Sequence, residues 1–309
     1  MFSILFPGQG SQNIGMAKEL FHEFSYVKEY FLKADEILKK NLSEIIFNGP
    51  KSELDKTENT QPAIFLVSYS FFKIIQKETH FEIMKAKYFA GHSLGEYSAL
   101  CCAGSLNFDQ TIRLLKQRGE AMQNALPNRD GGMTAVLGSS LDEITTILDE
   151  NKNKFSCFVA NDNSNGQIVM SGKLKELEIF GHELKKKNIK FVNLPVTAPF
   201  HCPLMKSATD TMKDIIINTE FKDPLVSIVS NVTAKPLIKS DEIKKLLIEQ
   251  IEKPVRWRES IENMINQGIN NFIEMGPGKI LSGLVKRIDR NVKLNQVNNL
   301  IDAKSLTND

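Results

Sequence analysis

The chain of 309 residues lacks the features that mark several classes of protein. No stretch approaches the roughly 18 consecutive apolar residues of a membrane-spanning helix, so no span is expected. The opening MFSILFPGQG has no basic residue ahead of its apolar run, and that run is too short for a secretory signal. Neither sign of charge dominates. Lys and Arg number 39 against 37 Asp and Glu, a net charge of +2, so bulk attraction to nucleic acid is not expected. Cysteine is scarce: Cys101, Cys102, Cys157 and Cys202 show no CxxC spacing, and the adjacent pair is poorly placed for a disulfide. Free thiols in a cytoplasmic protein are the simplest reading. His92 and Glu96 stand four apart, but HExxH is missing, so no metal site is expected. Nucleotide loops are missing as well. PGQGSQ suggests GxGxxG, but Asn13 stands where the third glycine is required, and Walker spacing is absent. There is no internal repeat and no low-complexity segment.

What remains is ordinary globular composition, 41% hydrophobic and 25% charged, with length for one large domain or one and a half. Phe2–Phe6 reads as a buried strand ended by Pro7-Gly8. Helices are expected near 15–24, 26–39 and 61–75. Lys87–Ala90 reads as a strand, followed by helices over 94–102 and 107–123. The turn-rich loop PNRDGG, 127–132, is the best candidate for a domain boundary. Beyond it come a strand at 133–138, a helix at 141–151, a strand at 157–161, a turn at 163–166, a strand at 167–171, a helix at 173–187 and a strand at 190–194. This β-α-β-β-α-β order fits a small ferredoxin-like module. Later segments return to alternation: helices at 203–217, 241–252 and 256–267, and strands at 226–230 and 271–274. The expected fold is α/β: a hydrolase-like large domain with a parallel sheet (1–127 and 198–309) carrying an inserted ferredoxin-like α+β domain (128–197).

The chemistry starts from GHSLGEYSAL, 91–100. Gly-x-Ser-x-Gly between a strand and a helix is the pattern of a nucleophile elbow, in which the turn crowds the residues flanking the serine. Ser93 is therefore the candidate nucleophile. The helix start at Leu94 supplies partial positive charge and an oxyanion amide. A serine needs a base. Of five histidines, His22, His80 and His182 read as surface residues, and His92 is placed for a pocket role. His201 sits in APFHCP, where two prolines pin the loop. No acid between 93 and 201 is marked as a third triad member, so a backbone carbonyl is one candidate to orient the histidine. Gln9, after the first strand, could bring a second amide to the serine; a plain tight turn is the alternative. Arg118 offers a planar fork for a carboxylate, although a surface arginine is the commoner reading of one helical position.

Nine blocks in order make the chain resemble the malonyl-CoA:acyl-carrier-protein transacylase family. They are FPGQGSQ, TQPAI, GHSLGEYSAL, QRGEAMQ, ANDNSNGQIVMSG, APFHCPLM, SNVTA, Gln250 followed by PVRW, and EMGPGKILSGL. The resemblance implies a hydrolase-like domain with an inserted ferredoxin-like one. It also implies roles. Ser93 would carry the malonyl group, His201 would be the base, and Arg118 would pair with the malonyl carboxylate. Gln9 and Leu94 would give the oxyanion amides, and the main-chain carbonyl of Gln250 would orient the histidine. Asn161 and Asn163 would line the cleft. A bulky residue at Phe200 goes, by the same resemblance, with malonyl over methylmalonyl.

The implied partners are malonyl-CoA and an acyl carrier protein. No cofactor is implied beyond the CoA thioester as substrate, and a monomer is expected. Carrier proteins are acidic, so a basic rim is expected. Lys185–Lys187 with Lys190, and Lys286-Arg287 with Arg290, are the candidates, although the first run also suits a helix C-terminus. Two other readings share parts of this pattern: an α/β-hydrolase esterase or thioesterase, and a malonyl transferase of a polyketide pathway. An idle carrier-binding domain would not require Ser93, His201 and Arg118 together.

Overall fold

The computed structural model describes residues 1–306. Two sheets organise it. The larger has six strands in the order β10-β9-β1-β2-β7-β8: β1 (Phe2–Phe6), β2 (Tyr88–Gly91), β7 (Ser227–Val229), β8 (Pro236–Leu237), β9 (Asn271–Met275) and β10 (Lys293–Val297). All neighbours are parallel except the edge pair β7–β8. Such strands are covered on both faces and read as apolar runs. Accordingly, Ile4, Leu5, Phe6 and Phe89 are fully buried. The smaller sheet is antiparallel, in the order β4-β5-β3-β6: β3 (Gly131–Leu137), β4 (Cys157–Ser164), β5 (Gln167–Lys173) and β6 (Lys190–Asn193).

The helices follow from sequence in familiar ways. α1 (Lys18–Glu23), α2 (Ser25–Leu38), α3 (Leu42–Asn48) and α4 (Lys51–Leu54) lead into α5 (Thr57–Glu78), almost every residue of which is buried to Ile75. The sequence pattern leaves 40–56 unmarked, and α5 begins four residues earlier than expected. Pro62 lies inside it. A proline usually marks a first turn, which is why the pattern places the start too late. α6 (Leu94–Cys102) follows β2 directly. α7 (Phe108–Gln123) opens on a reciprocal capping box between Asn107 and Gln110. α8 (Leu141–Glu150) and α9 (Leu174–Lys186) belong to the smaller sheet and enclose a core with Val136, Ile144, Ile168, Met170 and Phe180. α10 (Lys206–Asn218), α11 (Ser240–Gln250), α12 (Trp257–Asn266), α13 (Ile280–Ile288) and α14 (Leu300–Ser305) complete the chain. The segments β8, β10, α13 and α14 are additions to the expected elements. The Gly-Pro-Gly run at 276–278 interrupts any periodicity there.

One strand differs in a way that matters for the site. The residues expected in a turn at 163–166 begin as strand: β4 runs to Ser164, and only Asn165 and Gly166 turn. Register shifts along β4 permit this extension. The end of β4 is tied to the segment before α12 by Asp162 N–H to the Val255 carbonyl, 3.0 Å, and Val255 N–H to the Ala160 carbonyl, 2.8 Å. Arg258 adds a forked ion pair to Asp162. Ser171 of β5 donates to the Phe200 carbonyl at 2.6 Å. These links hold the smaller sheet over the carboxyl ends of β1 and β2, where ligands of open α/β sheets bind.

Candidate active site

The strand pairing Phe6↔Gly91 brings the ends of β1 and β2 side by side. The Gln9 loop and the Ser93 turn therefore face one space. Ser93 caps α6 with φ 54° and ψ −112°, a backbone state unfavourable for any residue with a Cβ. The two flanking glycines are required by contact. A Cβ on Gly91 would lie 1.9 Å from the Gly95 carbonyl carbon, and one on Gly95 would lie 2.2 Å from the Phe6 carbonyl oxygen. The helix thus packs onto the strand with no room for a side chain, and the Asn231 side chain closes the turn. It accepts from Ser93 N–H at 2.7 Å and donates to the Gly91 carbonyl at 2.7 Å.

His201 lies 108 residues further on, with its Nε2 2.8 Å from Ser93 Oγ. Its Nδ1 is 2.7 Å from the Gln250 carbonyl oxygen. A carbonyl only accepts, so Nδ1 carries the proton and Nε2 presents a lone pair to the serine hydroxyl. Gln250 ends α11, where the last carbonyls have no partner within the helix. That is why a main-chain oxygen is available for the task usually given to a carboxylate. Burial, with the Arg118 charge adding, pushes the His201 pKa down to about 3.

Arg118 of α7 is 1% exposed. It donates to Gln61 Oε1 at 2.9 Å, to Gln250 Oε1 at 2.9 Å and to Ser93 Oγ at 3.1 Å. Its Nε is buried and has no hydrogen-bond partner among the described residues. The nitrogen that faces the serine is Nη2, while the unpartnered Nε lies sealed from solvent. Burial lowers its pKa, while the opposite charge of Glu96 acts the other way. Glu96, on α6, is itself 1% exposed and accepts from Gln250 Nε2 at 2.6 Å and from Asn231 N–H at 3.2 Å. Burial raises its pKa to about 7 against those hydrogen bonds.

The smaller sheet supplies the roof. Asn163 Oδ1 lies 2.8 Å from His92 Nε2, so this nitrogen of His92 carries the proton. Burial holds the His92 pKa below its ordinary value. Asn161 approaches the same nitrogen at 3.4 Å, and its Oδ1 has no partner among the described residues. Gln9, Leu94, Arg118, Asn161, Phe200 and His201 line a cavity of about 150 Å³ around Ser93. Among the described residues the Gln9 and Leu94 amides donate to no protein acceptor.

Every site residue marked in the sequence thus converges on one cavity or its immediate support. Sequence reasoning missed Gln61, Glu96 and Asn231 as parts of the site, and gave Gln250 only a main-chain task. One signal was available: Glu96 is the lone charge in LGEYSALCC, an otherwise uncharged helix. Of the two basic runs, Lys186 pairs with Glu183 and Lys187 with Glu150, both near the end of a helix. Lys286 and Arg287 occupy the last turn of α13.

A half-buried serine whose hydroxyl meets a neutral imidazole, with the unused Gln9 and Leu94 amides lining the same cavity, suits nucleophilic acyl transfer. The fold and this arrangement are those of an acyltransferase. The acyl transferase domain family model matches residues 4–301. A malonyl CoA-acyl carrier protein transacylase of Bacillus subtilis is 42% identical over 296 residues, covering 94% of this chain and 91% of the relative. The crystal structure of an acyl-carrier-protein-S-malonyltransferase from Bartonella henselae has a TM-score of 0.94 at 39% identity, covering 98% and 96% of the two chains. A malonyl-transacylase in complex with its type II PKS acyl-carrier protein has a TM-score of 0.93 at 36% identity, covering 98% and 97%. The chain belongs to the malonyl-CoA:acyl-carrier-protein transacylase family.

Proposed function

We propose that the protein moves malonyl from CoA to the phosphopantetheine thiol of an acyl carrier protein, through a malonyl ester on Ser93, to supply fatty acid elongation. The carrying observation is Arg118: a buried guanidinium held only by neutral partners, whose Nη2 lies within hydrogen-bond distance of the nucleophile in the cavity it lines. A buried cation invites an anionic acyl group and disfavours one that would leave it unpaired.

The steps follow from the geometry. His201 Nε2 takes the hydroxyl proton as Ser93 Oγ bonds to the thioester carbonyl carbon. The carbonyl oxygen becomes an oxyanion between the Gln9 and Leu94 amides. Collapse breaks the carbon–sulfur bond, and the imidazolium returns its proton to the departing CoA sulfur. The carrier thiol then repeats the sequence in reverse: it loses its proton to His201, attacks the ester and releases Ser93. Two half-reactions through one intermediate give ping-pong kinetics. Serine, imidazole and amides supply each step, so the scheme calls for no cofactor.

Transfer to a carrier draws on the likeness to the transacylase bound to its PKS carrier, and that likeness also keeps a polyketide carrier as the alternative partner. The strand order β4-β5-β3-β6 with α8 and α9 supports reading 128–197 as an inserted ferredoxin-like domain on a hydrolase-like one formed by 1–127 and 198–309. No helix among the described residues is long and apolar enough to cross a membrane, and we place the monomeric enzyme in the cytoplasm.

Intact-mass analysis after exposure to malonyl-CoA, acetyl-CoA and methylmalonyl-CoA tests the proposal. The expected result is a persistent malonyl adduct that Ser93→Ala abolishes, with acetyl and methylmalonyl adducts forming far more slowly. Rapid release of free malonate with no adduct would instead make the protein a thioesterase.

A further inference from the structure

We propose that Glu96 is a positioning residue for acyl selectivity: its carboxylate fixes the Gln250 side-chain amide, which in turn aims Arg118 at the malonyl carboxylate. This role deepens the proposed function and rests on Arg118 as the malonyl-binding group. A glutamate in the first turn of a helix commonly serves only the helix dipole. An exposed carboxylate would do that without a desolvation cost, yet Glu96 is almost wholly buried. Both of its hydrogen-bond donors are neutral, and both belong to residues that hold the site.

What each group can donate or accept decides the arrangement. The Gln250 amide lies between Glu96 and Arg118, at 2.6 Å from one and 2.9 Å from the other. Glu96 Oε2 accepts from both Gln250 Nε2 and Asn231 N–H, and a guanidinium only donates. The amide therefore has a single satisfied orientation, Nε2 toward Glu96 and Oε1 toward Arg118. With Oε1 fixed there and Gln61 Oε1 on the other terminal nitrogen, the guanidinium is clamped on two sides. Its Nη2 also reaches Ser93 Oγ, at 3.1 Å. The same Gln250 Nε2 also approaches the Ser93 carbonyl at 3.2 Å, which ties the clamp to the elbow.

A glutamine at position 96 could satisfy the Gln250 amide in either orientation. The reversed orientation turns an NH₂ group toward the guanidinium, which must then withdraw. The acyl carboxylate would feel this directly; an acetyl group would feel it only through the weaker contact of Arg118 with Ser93 Oγ. Glu96 Oε2 accepts both bonds, so the NH₂ that meets Gln250 in the reversed orientation also takes the acceptor away from Asn231 N–H.

The test follows acylation of Ser93 by malonyl-CoA and by acetyl-CoA in wild type, Glu96→Gln, Glu96→Asp, Gln250→Leu and the double variant Glu96→Gln/Gln250→Leu. Glu96→Gln is expected to raise the malonyl-CoA concentration for half-maximal acylation about tenfold, the weight of one charge-assisted hydrogen bond. The limiting rate, and the acylation by acetyl-CoA, should each change less than about threefold. Glu96→Asp, which keeps an acceptor-only group, should recover part of the lost selectivity. The double variant should be no less selective than Gln250→Leu alone. Equal losses for both acyl groups would show a merely structural role and overturn the proposal. So would unchanged malonyl acylation in Glu96→Gln, or losses that multiply in the double variant. A wild-type enzyme that forms no malonyl adduct would be seen before any variant is made, and would overturn the underlying reading and the proposal with it.

Discussion

Removing Arg118 should change which acyl group the enzyme accepts more than whether it acylates at all. The guanidinium is 1% exposed and its hydrogen-bonded anchors, Gln61 and Gln250, are neutral; the buried Glu96, whose pKa is already raised to about 7, can take up a proton when the opposite charge is removed in Arg118→Ala. The malonyl carboxylate, by contrast, loses its partner inside a cavity of about 150 Å³. Two unit charges ~4 Å apart interact by about 4 kcal/mol at an effective dielectric constant near 20. At about 1.4 kcal/mol per decade, this predicts a fall of roughly three decades in kcat/KM for malonyl-CoA. Acetyl-CoA should lose nothing comparable, and its acylation should rise once a buried unpaired cation no longer borders the methyl group. Water admitted to the enlarged cavity moderates both effects without changing their order. The assay is the rate of adduct formation on Ser93 for each thioester, read by intact mass on the same preparation. If malonyl and acetyl acylation fall by the same factor, Arg118 acts on the serine or on packing, and the selectivity argument fails.

Two further predictions concern the fold around the nucleophile. Burial and the Arg118 charge hold the His201 pKa near 3, below its unfolded value of about 6.5. The unfolded chain thus binds the extra proton first, and native stability falls as pH drops below about 6.5 toward 3, by at most about 1.4 kcal/mol per pH unit from this group. Chemical denaturation of wild type and His201→Gln across pH 4–8 should show the variant losing less on the acid side; parallel curves would contradict the assignment. In Gly95→Ala the new Cβ meets the Phe6 carbonyl oxygen at 2.2 Å, a backbone clash that no rotamer relieves. We expect a loss of about 1–3 kcal/mol and slower acylation as α6 lifts from β1. Helix propensity alone predicts a gain of ~1 kcal/mol for the same change, so the sign of the shift in thermal unfolding decides the matter.

Much of the site was legible because its chemistry is local. The elbow is written in ten consecutive residues, since a strand, a crowded turn and a helix must be adjacent to expose Ser93. His201 stood out because prolines pin its loop. Arg118 needed more than its own position: one arginine on a helix looks like any other until α5 is packed beside it. Gln61, Glu96 and Asn231 were hidden for a related reason. Each acts by completing a hydrogen-bond network between distant segments, and no spacing rule links residues 61, 96, 231 and 250. Asn163 sits in a run, Asn-Ser-Asn-Gly, that carries turn chemistry and so reads as a turn. The pairing of β4 with β5 overrides that local preference and points the side chain at His92. The fold beyond 274 was illegible because Gly-Pro-Gly breaks the pattern that α13 and β10 would otherwise show.

The Gln250 carbonyl makes the orientation of the His201 ring independent of the identity of any side chain. In a serine enzyme with an acidic third residue, one codon change can misplace the base. Here the acceptor is peptide backbone at the end of α11, and every residue carries one. The base is therefore insulated from point substitution at 250, while the side chain there remains free to vary for another purpose, the setting of Arg118. The contact that orients His201 can persist while the side chain at this position changes. An alanine scan would report on the Gln250 side chain and miss its main-chain hold on His201 altogether.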